Sequence, residues 1–302
     1  MSNSNSKTEI AFLLPVYNCQ FSIEKTLQSI LNQDYKNFKI YIINNGSTDN
    51  TDAIIKQYAN SDERIKIYNL DKPNLTEALC FGINHIKEEF IMRIDSGDTS
   101  EFDRTSKTLE FMKENPNCAI SFTEYYSQRE NKFSLKKLPK VINRKDLIFK
   151  NKIAHSTICI RKSILIKYNF NYCGFGNKFL YYGPSQDLLL FSIAKFIFNL
   201  NIAKVPNIKS TITLGIKDSI SNSNKREQRI IATKLLLTNN LKYLKKANYK
   251  INKIKSLGVI FFNFIRLMRY EKTIFSILRL INFLIKQDLD DNYIYQKIIY
   301  LK

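Results

Sequence analysis

The sequence lacks closely spaced cysteine pairs. Its five cysteines (Cys19, Cys80, Cys118, Cys159 and Cys173) are scattered along 302 residues, and no two of them form a C-x-x-C motif. Structural zinc sites and small disulfide-rich domains depend on such spacing, so neither is indicated. We therefore expect all five cysteines to be reduced thiols in a protein of a reducing compartment.

Long apolar segments are also missing. The N-terminal stretch Met-Ser-Asn-Ser-Asn-Ser-Lys is polar and contains no apolar core of a secretory signal. No uncharged apolar run approaches the roughly 20 residues that a helix needs to cross a bilayer. These absences predict a cytoplasmic protein that at most touches a membrane from the inside.

Acidic residues are few compared with basic ones. The chain has 47 Lys and Arg residues against 27 Asp and Glu, which gives a net charge of +20. Such an excess implies an anionic partner: nucleic acid, an anionic membrane surface or a phosphorylated substrate. We expect no nucleic-acid partner, because the sequence contains no recognisable nucleic-acid-binding motif.

The end of the chain combines basic and apolar residues. Segments 225–247, 256–270 and 272–286 have a helical period and pair Lys and Arg with Phe, Leu and Ile. Such helices can lie in a membrane interface, with their cations on anionic headgroups. The alternative is that they pack on the preceding domain and leave their lysines in solvent. We predict a catalytic domain at 1–223 and a basic amphipathic helical region at 224–302.

Strand-like and helix-like patterns alternate in the first part of the chain. Amphipathic helices separate predicted strands at 9–14 (ended by Pro15), 38–43, 65–68 and 90–94. This order with short connections predicts an α/β fold with a mostly parallel sheet flanked by helices. Later elements are predicted at 118–123 (strand), 157–160 (strand), 185–198 (helix) and 201–213 (strand). The polar, basic stretch 125–152 is interpreted as an excursion over the active face.

The fourth predicted strand is followed by an acidic loop, Asp95-Ser96-Gly97-Asp98. Ligands of open α/β sheets bind outside the carboxyl ends of the strands. Two carboxylates there suit Mg²⁺ or Mn²⁺, which commonly bridge carboxylates to substrate phosphates. The alternative is an ordinary surface turn, since all of these residue types favour turns.

Four stretches together resemble the family 2 glycosyltransferases, which have the GT-A fold. They are the Leu14-Pro15-Val16-Tyr17-Asn18 opening, the Asn44-Asn45-Gly46-Ser47-Thr48-Asp49-Asn50-Thr51 loop, the acidic loop and Gln186-Asp187 at a helix start. The resemblance covers roughly residues 9–222. It implies an inverting transferase that uses a nucleotide-diphosphate sugar, with UDP-sugars the expected donors, and Mn²⁺ or Mg²⁺. The implied acceptor is a hydroxyl of a glycan or lipid-linked molecule in bacterial surface polysaccharide or lipooligosaccharide synthesis.

The resemblance also implies a role for each matching residue. Asp98 would be the main metal ligand, and Asp95 would assist at the metal or the ribose. Asp187 would be the general base, with a helix N-cap as the alternative. The nucleotide would lie against Pro15, Tyr17, Asn18, Asn45 and Lys72. His155 would lie on the acceptor side.

The sequence departs from the family pattern at several positions. Asn44 and Asn45 replace a usual pair of acids, one of which reads the uracil imide, so the nucleobase preference is left open; Gly97 replaces an acid of the metal loop. A late histidine is missing, and Lys217 is a candidate to neutralise the diphosphate instead. These departures keep open a catalytically degenerate member that binds carbohydrate or a partner in a membrane-associated complex. A nucleotidyltransferase is disfavoured, because no glycine-rich, basic phosphate loop follows the first strand.

Overall fold

The computed structural model describes residues 9–149, 152–172, 174–175 and 186–214. The strands in these ranges are β1 Ile10–Val16, β2 Phe38–Asn44, β3 Ile65–Asn69, β4 Phe90–Arg93, β5 Thr99–Ser100, β6 Cys118–Arg129, β7 Lys132–Lys136, β8 Ile158–Arg161, β9 Phe170–Asn171, β10 Gly174–Phe175 and β11 Asn201–Thr213. The α-helices are α1 Ile23–Leu31, α2 Thr51–Ser61, α3 Leu75–His85, α4 Arg104–Glu114, α5 Arg144–Phe149, α6 Lys162–Tyr168 and α7 Gln186–Ser192. A 3-10 turn covers His155–Thr157, and a π-helical turn covers Ile193–Ile197. None of the described helices has both the length and the apolar character needed to cross a membrane.

One large mixed sheet contains most of the strands, in the order β3-β2-β1-β4-β8-β6-β11-β5, with β7 paired to β6. The pairs β1–β2, β2–β3 and β1–β4 are parallel, as the sequence predicted. Strand β8 runs antiparallel to both β4 and β6, whereas β6 and β11 are parallel. The predicted α/β fold is therefore confirmed, with a parallel first half and a mixed second half.

Strand β1 lies at the centre of the parallel half, and all seven of its residues are buried. The prediction that Pro15 ends this strand is wrong, because β1 continues to Val16 and Pro15 pairs with Ile43 of β2. Pairing with β4 stops at Leu13. After Leu13, β1 pairs only with β2 in the described sheet. Pro15 therefore lies at a local strand edge, where the lack of a backbone N–H is tolerated.

The interpretation of 125–152 as an excursion is wrong for its first part. Strand β6 runs on to Arg129, and β7 returns antiparallel to it as a hairpin. Most side chains of β7 are exposed. An exposed hairpin strand can consist of polar and basic residues. The polar composition of this stretch was therefore compatible with β7.

Apolar side chains from β1, β2, β4 and the helices α1 and α4 form the main core. On the other side of β1, α3 approaches closely at Gly82. A Cβ atom at that position would collide with the Leu13 side chain. The glycine therefore sets how near α3 can lie to the central strand.

The described residues fall into two compact units. The first contains the chain up to Val141, Ile153–Lys167 and the part from Asn201, and the second contains described residues of Ile142–Lys152 and Tyr168–Leu200. The predicted helical region at 224–302 lies outside the described residues, and so does Lys217. The division at 223 therefore stays a prediction.

The described cysteines do not all match the expectation of reduced thiols. Cys19, Cys118 and Cys159 are free and buried. Cys80 is disulfide-bonded, so the expectation is wrong for this residue. Sequence spacing could not reveal this, because disulfides join cysteines that only the fold brings together. Cys173 lies outside the described residues.

Candidate active site

Loops after β1, β2 and β4 lie side by side, because these parallel strands end at the same edge of the sheet. The Asn18 backbone N–H donates to Ser47 Oγ over 3.2 Å, and Asn18 Oδ1 accepts from the Thr48 N–H over 2.8 Å. The hydroxyls of Ser22 and Ser96 are 2.9 Å apart and hydrogen-bonded. The loop after β1 is thus tied both to the loop after β2 and to the acidic loop.

Asp98 is the buried carboxylate of the acidic loop, with 5% of its surface exposed. Burial raises the pKa of Asp98 to about 7, and repulsion from the Asp95 charge adds to this effect. Hydrogen bonds from the Ser156 hydroxyl and the Thr213 N–H, together with the Arg93 charge, act in the opposite direction. Burial therefore disfavours the charged form of this carboxylate, and a positive charge nearby would favour its ionisation.

Asp95 forms an ion pair with the buried guanidinium of Arg93, while its own side chain remains partly exposed. The same guanidinium donates to the carbonyl of Ile94. Arg93 is the last residue of β4, so its side chain folds back over the loop that it introduces. This pairing fixes Asp95 next to the strand end and leaves part of its carboxylate facing solvent.

Thr26 of α1 holds the acidic loop from one side. Its Oγ1 accepts from the Gly97 N–H over 2.8 Å and donates to the Asp98 carbonyl over 2.9 Å. Gly97 has φ of +91°, a conformation that favours glycine. Position 97, where the family pattern has an acid, therefore holds a glycine that can adopt this left-handed conformation.

Arg104 of α4 is the second fully buried arginine of the region. Its Nη2 donates to the carbonyls of Arg93 and Ser156, both over 3.1 Å, and its Nη1 donates to Ser100 Oγ over 2.9 Å. Burial lowers its pKa to about 10, so it stays protonated at neutral pH. Arg104 thus connects the end of β4, the 3-10 turn and β5 beneath the acidic loop.

The nucleobase side of the predicted site contains Asn45, which is fully buried. Its Oδ1 accepts from the Asn74 N–H over 2.8 Å, and its backbone N–H donates to the Val16 carbonyl over 2.8 Å. Asn45 therefore lies between the end of β1 and the loop that leads into α3.

The remaining nucleotide-binding candidates lie around the same strand ends. Pro15 is buried in β1, Tyr17 is half-buried just after β1, and Lys72 is exposed in the β3–α3 loop. The structure thus brings the predicted residues of the first unit to one edge of the sheet. Their contacts with a nucleotide stay predictions.

His155 begins the 3-10 turn whose next residue, Ser156, hydrogen-bonds Asp98. Loss of solvation and the Arg93 charge lower the pKa of His155 well below its ordinary value, so its ring is neutral at pH 7. His155 thus lies beside the acidic loop, and its place on the acceptor side stays a prediction.

Asp187 is the second residue of α7 and belongs to the second compact unit. It is partly buried. Gln186 is the first described residue of α7 and follows residues that the structure does not describe, so the predicted helix start stays a prediction. The role of Asp187 as a base stays a prediction.

The acidic loop fits a divalent cation. Its two carboxylates repel each other across a short turn, and a cation between them would favour their ionised forms. Among the residues that the structure describes, no group of three or more His, Cys, Asp or Glu side chains could hold a metal ion. Asp95 and Asp98 would therefore share the cation with water or substrate oxygens.

Comparison with known proteins assigns the family. The model described as "Glycosyl transferase family 2" matches residues 12–175, over half of the chain. The chain belongs to glycosyl transferase family 2. This confirms the family expected from the motifs.

Two relatives illustrate the range of this glycosyltransferase family. TuaG of Bacillus subtilis, a protein named for teichuronic acid biosynthesis, is 33% identical over 123 residues, which cover 40% of this chain and 48% of TuaG. The O-antigen biosynthesis glycosyltransferase WbnJ of Escherichia coli is 32% identical over 170 residues, covering 55% of this chain and 66% of WbnJ. The chain thus spans about half to two thirds of these relatives.

Solved structures confirm the GT-A fold. Staphylococcus aureus TarS 1–349 in complex with UDP-GlcNAc aligns with a TM-score of 0.64 at 16% identity, over 89% of this chain and 75% of TarS. The mannosyltransferase PcManGT from Pyrobaculum calidifontis, in complex with GDP-Man and Mn²⁺, aligns with a TM-score of 0.57 at 12% identity, over 93% and 76% of the two chains. At these identities the likeness establishes the fold alone.

Sequence reasoning missed the residues that hold the acidic loop in place. Arg93 and Arg104 flank this loop in the sequence, and two arginines that close to paired acids were a usable signal. Thr26 and Thr213 are far from the loop along the chain. No sequence pattern singled them out.

Proposed function

We propose that this glycosyltransferase moves a sugar from a nucleoside-diphosphate sugar, with UDP-sugars the expected donors, to a hydroxyl of a glycan or lipid-linked acceptor. The observation that carries the proposal is the acidic loop, which presents Asp95 and Asp98 at the carboxyl edge of the sheet in a family 2 chain. The UDP-GlcNAc complex of TarS supports a UDP-sugar, and the GDP-Man complex of PcManGT supports the use of Mn²⁺.

Asp95 and Asp98 would hold the cation, and Mn²⁺ or Mg²⁺ would supply positive charge to the leaving diphosphate. Arg93 orients Asp95 through their ion pair. Thr26 and Thr213 orient the segment that contains Asp98. These contacts hold the two carboxylates that would bind the cation, which supports the proposal.

The transfer would proceed with inversion. Asp187 would remove the proton from the acceptor hydroxyl as that oxygen attacks the anomeric carbon from the face opposite the diphosphate. A single base is sufficient for this displacement, by the same logic as in inverting glycoside hydrolysis. The family resemblance of the Gln186-Asp187 helix start supports this role.

The proposed setting is bacterial surface polysaccharide synthesis, with the enzyme at the cytoplasmic face of the membrane. The names of TuaG and WbnJ support this setting. The basic segments of 224–302 would contact anionic lipids. This would bring the active site to acceptors carried on lipid.

A transfer assay with the Asp187→Asn variant tests the proposal. The variant should bind UDP like the wild type but transfer no sugar, and the wild-type product should have the inverted anomeric configuration by NMR. Asp103→Asn is the control, because Asp103 forms an exposed pair with Lys107. A retained configuration would refute inversion, and full transfer by Asp187→Asn would refute the base assignment.

A further inference from the structure

An exposed phenylalanine projects from the hairpin of β6 and β7. Phe133 has 60% of its surface exposed and is the second residue of β7, just after the turn that joins the strands. Five residue pairs connect the two strands, from Tyr125 opposite Lys136 to Arg129 opposite Lys132. The hairpin therefore presents the ring on a regular strand and not on an irregular loop.

The hairpin points in the same direction as the strands that form the candidate active site. Strand β8 is antiparallel to both β4 and β6, so β4 and β6 run in the same direction. Strand β6 therefore reaches its turn at the carboxyl edge of the sheet, where the acidic loop follows β4. Phe133 thus lies at the edge where ligands of α/β folds bind.

Strand pairing places the Phe133 side chain on the same face of the sheet as Thr213. Gln128 of β6 is paired with Phe133 on one side and with Thr213 of β11 on the other. Directly paired residues project to the same face, so these three side chains form one row across the sheet. The Thr213 hydroxyl donates to the Gly97 carbonyl over 2.7 Å, so the acidic loop meets this face at the end of the row.

Apolar and polar side chains accompany the ring on this face. Leu135 lies two residues along β7 from Phe133 and is paired with Tyr126, and both are half-buried. Gln128 Nε2 donates to the Glu130 carbonyl over 3.4 Å, and its Oε1 makes no hydrogen bond within the described part of the chain. An aromatic strip beside an amide oxygen matches a sugar, which has C–H groups on the faces of its ring and hydroxyls around the edge.

The cations of the hairpin lie on the opposite face. Alternation along the strands and direct pairing place Arg129, Lys132 and Lys136 together there, and all three are exposed. A segment that enters an anionic membrane combines apolar side chains with cations at the headgroups. Within the hairpin, the face that carries Phe133 has no Lys or Arg. A sugar therefore fits this face better than an anionic lipid surface.

We propose that Phe133 is a specificity-determining residue that packs against a sugar ring of the acceptor glycan. The proposal rests on the proposed transfer to a glycan. Two strand spacings of about 4.8 Å separate Phe133 from Thr213, the residue that binds Asp98. The ring would therefore contact a sugar unit further along the acceptor than the one whose hydroxyl reacts. Axial hydroxyls on the packed face would prevent close contact, so the ring would select among acceptor sugars.

Binding to an array of immobilised bacterial surface oligosaccharides, in the presence of UDP and Mn²⁺, tests this inference. Phe133→Ala should bind the oligosaccharides that the wild type recognises roughly tenfold more weakly. Phe133→Tyr keeps the ring and should bind like the wild type. Phe102→Ala is the matched control, because Phe102 is 66% exposed but follows β5, on the other side of β11. The melting shift with UDP and Mn²⁺ should be the same in every variant.

Contact of the ring with a membrane is tested separately. The sequence contains no tryptophan, so Phe133→Trp introduces a single fluorescent reporter at this position. Its emission should change with a recognised oligosaccharide and stay unchanged with vesicles of phosphatidylcholine and phosphatidylglycerol. A shift to shorter wavelength with the vesicles would overturn the inference, because the ring would then enter lipid.

The outcomes separate the inference from the proposed function. Oligosaccharide binding that Phe133→Ala retains in full would overturn the inference and leave the function standing. A wild type that shows the UDP shift but recognises no oligosaccharide on the array would also overturn the inference. A wild type with neither oligosaccharide binding nor a UDP shift would overturn both.

Discussion

The backbone N–H of Thr213, the last residue of β11, donates to Oδ1 of Asp98 over 2.9 Å. The Thr213 hydroxyl also donates to the Gly97 carbonyl over 2.7 Å. Thr26 holds the same two residues from α1. The acidic loop is therefore positioned by two elements that lie far from it in sequence, and its geometry depends on the folded sheet.

Thr26→Val should destabilise the protein by about 3 kcal/mol. Valine has nearly the shape of threonine but leaves the Gly97 N–H and the Asp98 carbonyl without their buried partner, at about 1–3 kcal/mol each. Denaturant unfolding measures the change. Thr48→Val is the matched control: Thr48 is exposed and its hydroxyl makes one long bond, 3.4 Å to Asn18 Oδ1, so the free energy of unfolding should shift by no more than about 0.5 kcal/mol. Equal effects of the two variants would show that Thr26 does not hold the loop.

Without a divalent cation, Asp98 should make the protein less stable as pH rises. Its pKa is raised from 3.8 to about 7 in the folded protein, so between about pH 4 and 7 the folded state keeps a proton that the unfolded chain has released. The free energy of unfolding should fall across this window and level off above it. His155 has a lowered pKa and acts in the opposite direction, costing stability as pH falls below 6.5.

The contribution of Asp98 is isolated by comparison with Asp98→Asn. The difference in melting temperature between wild type and variant, measured in chelator from pH 5 to 8, cancels the contribution of His155. We expect the wild type to lose stability relative to the variant as pH rises. A difference that stays constant with pH would mean that the Asp98 carboxyl titrates in its ordinary range.

Arg104→Gln should lower the free energy of unfolding by about 2 kcal/mol or more. The change removes the donors of two buried carbonyls, those of Arg93 and Ser156. Arg129→Gln, at the exposed end of β6, should change it by less than about 0.5 kcal/mol. Urea unfolding measures both variants. Similar unfolding midpoints would contradict the conclusion that Arg104 stabilises the fold through the Arg93 and Ser156 carbonyls.

The parallel half of the fold could be predicted from local patterns. Buried apolar runs separated by amphipathic segments gave β1 to β4, and strand ends followed by polar loops placed Asn18, Asn45 and Asp98 at one edge. Strand β11 was also predicted at its observed bounds, 201–213. These features depend on residues close in sequence, where periodicity is informative.

Other features depend on contacts between distant residues. The two-residue strand β5 exists only because β11 pairs with it, and the hairpin of β6 and β7 has too many exposed positions for a clear pattern. The orientation of the Asn45 side-chain amide depends on the backbone N–H of Asn74, to which its Oδ1 is bonded. Such relationships follow from tertiary structure and have no local sequence signal.

The most direct test of the account is cation-dependent nucleotide binding by Asp98→Asn. Wild-type protein should show a melting shift of several degrees with UDP and Mn²⁺ at about 100 times the dissociation constant, corresponding to roughly 2.7 kcal/mol, and the shift should vanish with chelator. GDP, TDP and CMP serve as comparisons, and Asp103→Asn should behave like the wild type.

In Asp98→Asn, the loss of one of the two proposed metal ligands should weaken Mn²⁺-dependent UDP binding by about 100-fold or more. Its own melting temperature without ligand should not be lower than that of the wild type at pH 8. A shift with UDP that survives chelation in the wild type, or one that Asp98→Asn retains in full, would contradict a metal–diphosphate site at the acidic loop.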